Sequence, residues 1–90
     1  MKYCFNKVGL KAETVDGKTI INDEKTNMVY LLNEIETDIL HLFDEPNTEE
    51  EVIKKLSCEY DADENIIISD IHEFVQSLIF AGILIEKHEV

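Results

Sequence analysis

The residues of this chain that could do chemistry are two cysteines, three histidines and twenty carboxylates. None of them falls at a spacing that a reaction requires. Cys4 and Cys58 lie far apart and outside any CxxC pattern, and His41, His72 and His88 show no ligand-like spacing to either thiol, so no metal site is read from them. Gly9, Gly17 and Gly82 are scattered, which leaves no glycine-rich phosphate loop. No Ser-His-Asp or Cys-His set carries a local signature. Carboxylates this numerous can meet by chance, but an acid–base pair needs a pocket that separates their pKa values, and a chain of 90 residues seldom encloses one. Neither catalysis nor a cofactor is expected.

Charge narrows the partners. Residues 1–30 carry five lysines and four acids, for +1; residues 31–90 carry three lysines and sixteen acids, for −13, and the chain holds −12 with no arginine. Nucleic acid binding needs clustered basic side chains that displace counterions, so a partner neutral or basic at this surface is expected instead. The start, Met1 to Lys7, lacks the apolar stretch and cleavage site of a secretion signal, and no run of about 18 apolar residues is present to span a bilayer. A cytoplasmic protein with reduced cysteines and no membrane partner is the expectation.

The elements that must position any site can be read in order. Val8 to Val15 alternates in part and reads as a strand. Asp16-Gly17 is the dipeptide of a two-residue type I′ hairpin, and Lys18 to Asn22 is the returning strand. A polar turn, Asp23 to Asn27, leads to a third strand, Met28 to Leu32, whose unbroken apolar character implies burial on both faces. Helices follow. Asn33 with Glu36, and Thr48 with Glu51, have capping-box spacing, and Asp63 is placed to cap the third helix, Glu64 to Ala81. Inner faces are assigned to Ile35, Ile39, Leu42 and Phe43, then to Val52, Ile53, Leu56 and Tyr60, then to Ile67, Ile71, Phe74, Val75 and Leu78. Pro46 ends the first helix and Gly82 the third, after which Ile83 to Ile85 can add a closing strand. The fold class is α+β: a winged-helix-like domain with an N-terminal three-stranded antiparallel sheet followed by a three-helix bundle.

This order leaves one apolar strand beside a long helix, a place to hold a peptide. The stripe Ile66, Asp70, Glu73, Ser77 and Phe80 flanks the core face of the third helix, with apolar ends and an acidic, hydrogen-bonding middle. With Asn27, Met28, Val29, Tyr30 and Leu31 as the opposing wall, an extended peptide can add to the sheet, main-chain bonds giving affinity and alternate side chains selectivity.

The same residues resemble a known family. The run from Asp16 to Glu34, with Tyr30, Leu32 and Asn33 in sequence, is similar to the strand–strand passage of the PqqD family. Phe43-Asp44, then Thr48 to Ile53, then Tyr60-Asp61 look like its second helix and linker. Asp70-Ile71, Phe74-Val75, Leu78 and Gly82 to Leu84 resemble its last helix and closing glycine. The resemblance covers residues 8–85 and implies a single PqqD-like peptide-recognition domain over residues 1–90, a recognition element for ribosomally synthesised and modified peptides. It implies no catalysis. Such a domain captures the leader of a precursor peptide against the third strand and third helix. It then presents the precursor to a modifying enzyme, often a radical-SAM protein, or to a leader peptidase in lasso-peptide systems. Three rivals remain: a winged-helix nucleic-acid binder, a small enzyme or enzyme subunit, and an assembly module whose exposed strand pairs with itself in a homodimer.

Overall fold

The computed structural model describes residues 1–59 and 64–87. Its elements are β1 (Lys2–Phe5), β2 (Leu10–Val15), β3 (Lys18–Asp23), β4 (Met28–Leu32), α1 (Glu34–His41), α2 (Glu49–Glu59), α3 (Glu64–Phe80) and β5 (Leu84–Lys87). Strands β2, β3 and β4 form an antiparallel sheet in that order, and the three helices follow it in the chain. The expected α+β, winged-helix-like architecture is present. Tyr60 and the cap assigned to Asp63 lie outside the described residues.

Local chemistry explains the boundaries. Asp16 and Gly17 take φ of 54° and 78°, the two positive values a type I′ turn demands, and they set the register that opposes Val15 to Lys18. The next turn is clasped by buried Asp23, whose Oδ1 accepts from the Lys25 and Thr26 amides at 2.9 and 3.3 Å; Asn27 closes it at a φ of 61°. At Asn33 both halves of the capping box form: the Glu36 amide donates to Asn33 Oδ1 at 2.8 Å, and the Asn33 amide donates to Glu36 Oε1 at 3.0 Å. The Glu51 amide donates to Thr48 Oγ1 at 3.1 Å, as the spacing predicts. Gly82, at φ 77°, ends α3 in a Schellman motif, with the Ile83 amide on Leu78 O and the Gly82 amide on Ile79 O.

The core joins both layers. Ile21 and Leu32 from the sheet meet Ile39, Leu40 and Phe43 from α1 and the residues after it, Val52 and Leu56 from α2, and Ile71, Val75 and Leu78 from α3. Helix α1 packs on β3 and β4, and α2 packs on α3.

Three expectations are corrected. Strand β2 begins at Leu10 rather than Val8, because the Val8 amide turns back onto Asn6 Oδ1 at 3.0 Å and Gly9 takes a φ of 75°. A further strand, β1, pairs antiparallel with β5, so the closing strand expected after Gly82 forms against the chain's first residues. Strand β4 is not buried on both faces: Met28, Val29 and Leu31 are exposed and only Leu32 enters the core.

Candidate functional site

The sheet order places β4 at an edge, and among the described residues no other strand pairs with its outer side. Its pleat divides the residues expected to form one wall. Alternate side chains point to opposite faces, and the register sets Tyr30 against buried Ile21 and Leu32 against buried Thr19. Met28, Tyr30 and Leu32 therefore share the helix-side face, whereas Val29 and Leu31 project from the opposite one. Asn27 sits in the turn before the strand rather than along it.

Where β4 runs into α1, an open cleft of about 420 Å³ separates the start of α1 from the first half of α3. Asn33, Ile35, Glu36 and Ile39 line one side; Ile66, Ile67, Asp70, Ile71 and Phe74 line the other, with Leu56 also on the wall. Ile35 and Ile66 are about half exposed or more, at 52% and 60%, so two aliphatic side chains line opposite sides of a gap that no other described residue fills. Glu36 is committed to the capping box. Asp70, by contrast, takes no hydrogen bond among the described residues and offers a free carboxylate at the rim of this apolar gap.

Of the stripe expected on α3, the structure brings only Ile66 and Asp70 into the cleft. Glu73, Ser77 and Phe80 lie further along the helix, outside its lining, and all are exposed. Ser77 is turned back on its own helix, its hydroxyl donating to Phe74 O at 2.6 Å, so it does not supply the outward hydrogen bond foreseen for it. Phe80 is 95% exposed and lies outside the lining of this cleft.

Helical periodicity assigns six cleft residues, Ile35, Ile39, Leu56, Ile67, Ile71 and Phe74, to the core; Ile39, Leu56 and Ile71 are buried there, Ile67 and Phe74 pack half-buried against it, and Ile35 is exposed. Periodicity finds an apolar face but does not say whether the chain itself or something else covers it. Ile35 is the second residue of α1 and lines the cleft rather than the core.

Both cysteines are free thiols, and His72 Nδ1 lies 2.8 Å from Glu49 Oε1, tying α3 to α2. Among the described residues no group of His, Cys, Asp and Glu is placed to hold a metal ion, and no helix is long and apolar enough to cross a membrane.

No curated protein matches the chain in sequence. Solved structures do match it in shape. TbiB1 in complex with the TbiA(beta) leader peptide superposes with a TM-score of 0.80 at 17% identity, covering 96% of this chain and 99% of that one. A lasso peptide synthetase B1 complexed with the leader peptide gives 0.79 at 17% identity, covering 96% of this chain and 100% of its own. At this identity the likeness is one of fold. The sequence itself matches the family model described as coenzyme PQQ synthesis protein D over residues 18–84, from the second strand of the hairpin through the closing segment, and the chain belongs to the PqqD family.

Proposed function

We propose that this protein is a non-catalytic, cytoplasmic recognition domain that captures the leader segment of a ribosomally synthesised precursor peptide. It then presents the precursor to a modifying enzyme, of the radical-SAM type, or to a leader peptidase. The observation that carries this reading is the open edge of β4 beside an unfilled apolar cleft. Membership of the PqqD family supports it, as does the shared fold with two proteins whose structures hold leader peptides.

The energetics assign the parts. Ordering each peptide residue costs about 1–2 kcal/mol of backbone entropy, more than a ladder hydrogen bond returns at about 0.5–1.5 kcal/mol net. The main-chain bonds of strand addition therefore contribute to affinity but cannot suffice alone. Buried apolar anchors worth about 1.5–3 kcal/mol each supply the difference, and the space between Ile35, Ile66 and Phe74 is where one seats. A basic leader residue against Asp70 sets register more than strength.

The test is titration of the ¹⁵N-labelled protein with synthetic leaders taken from precursor genes encoded beside its own. Shifts are expected in residues 28–35 and 66–74; saturable binding with shifts elsewhere, or no binding by any neighbouring leader, would sink the reading. Val29→Pro, which removes a strand donor and distorts the edge, should abolish capture while the remaining amide spectrum stays native.

A further inference from the structure

The three-stranded sheet turns one face to the helices and the other to solvent, and the solvent face is unusually apolar. Strand β3 buries Thr19, Ile21 and Asp23 and exposes Lys18, Ile20 and Asn22. The central strand thus hides a hydroxyl and a carboxylate beside Ile21 and displays Ile20 between Lys18 and Asn22, a departure at Ile20 from the usual polar-outward alternation. On β4 the same outer face carries Val29, 56% exposed, and Leu31, 74% exposed, with Leu31 directly opposite Ile20. Toward β2 the patch ends in charge, since Glu13 is opposite Ile20 and Lys11 is opposite Asn22. Toward the other side it runs straight to the open edge of β4.

We propose that Ile20, Val29 and Leu31 read the captured strand from the outer face, selecting leaders with apolar, strand-forming side chains at two positions i and i+2. This rests on the leader-capture reading and adds a second recognition surface to it. A strand added to β4 sets alternate side chains opposite Val29 and Leu31 at about 4.5–5.5 Å, where cross-strand pairs interact. Ile20 backs Leu31 one strand further in. Within the sheet the patch is bounded by charge toward β2 and reaches the unpaired side of β4, so the added row continues it. A folded partner fits worse. Three side chains fall far short of the roughly 800 Å² per partner that a stable interface buries, and two copies of a chain with a net charge of −12 repel each other. Recognition is then two-sided: one set of alternate leader residues meets the cleft and the other set meets this patch.

A phage-displayed library of random peptides long enough to span β4, selected on the immobilised full chain, supplies the probe. Enriched sequences are resynthesised and their Kd measured on the wild type, on Val29→Thr with Leu31→Thr, and on Ile66→Arg. The threonines are strand formers at exposed positions, and thermal unfolding verifies that the fold is kept. Enriched peptides should share apolar residues at alternate positions and bind roughly tenfold more weakly to the double variant. Peptides that require Ile66 but ignore the double substitution would overturn this inference and leave capture in place. Failure to enrich any peptide, or binding indifferent to both variants, overturns both. A dimer in sedimentation that the two threonines dissolve would overturn the choice of occupant.

Discussion

Strands β1 and β4 are both short and both flank the core, yet the molecule treats them oppositely. β1 has backbone partners on both sides. It pairs with β5, while the Tyr3 amide donates to Asn47 O at 2.8 Å, the Asn47 amide returns to Tyr3 O at 2.9 Å, and the Phe5 amide donates to Phe43 O at 2.9 Å. β4 pairs with β3 alone among the described residues and displays Met28, Val29 and Leu31. An open apolar edge invites pairing with other chains, so proteins ordinarily cover or charge it. This chain covers the free side of β1, whereas the outer sides of β2 and β4 have no strand partner among the described residues, and of these two β4 is the more apolar. The covered strand serves folding; the uncovered one is where, on the proposed reading, a leader backbone adds.

That contrast can be broken most forcefully at Phe43, whose side chain is fully buried and whose carbonyl holds β1. Phe43→Ala should cost about 3–5 kcal/mol of stability, read as a shift in the urea midpoint. Leu31→Ala, on the open strand, should stay within about 0.5 kcal/mol of the wild type. Equal losses at the two positions would mean that β4 is as integral to the core as the covered end is, and the division between them would fail.

Ile35→Lys sharpens the comparison from the open side. The residue is half exposed, so unfolding should barely change. Leader affinity should fall by about 10–100-fold, the equivalent of losing one apolar anchor. Asn33→Ala is intermediate, because Asn33 both caps α1 and lines the cleft. Loss of the cap should cost about 1 kcal/mol in urea unfolding, accompanied by weaker leader binding as the first turn of α1 loosens.

What the sequence revealed divides along the same line. Asp16-Gly17, Asn33 with Glu36, Thr48 with Glu51, and Gly82 act through neighbours a few residues away, and each forms the predicted turn or cap. β1 was illegible because Lys2 to Phe5 is four residues long, and its pairing with Leu84 to Lys87 spans most of the chain. No local pattern encodes that closure. Thr37 was missed in the core for a different reason: it is polar by type yet buried, with its hydroxyl unpartnered among the described residues. At the site, helical spacing found the stripe on α3 but not how far along it the cleft extends. That depends on where α1 begins relative to α3, a tertiary relation. The side-chain rotamer of Ser77 likewise hides a hydrogen bond that residue type alone would place outward.

The smallest effect tests the extent of the site. Ile66 and Phe80 are fourteen residues apart on α3, roughly 21 Å at 1.5 Å per residue, while the five residues of β4 extend roughly 17 Å. On the proposed reading, a peptide strand anchored at the Ile66 end runs out at about the level of Ser77 and Phe80, outside the lining of the cleft. Ser77→Arg should weaken leader binding by no more than about threefold, since an exposed substitution there changes only the periphery. A loss comparable to that at Ile35 would show that the peptide crosses the whole helix, and Phe80 would then belong to the wall although it lies outside the cleft lining.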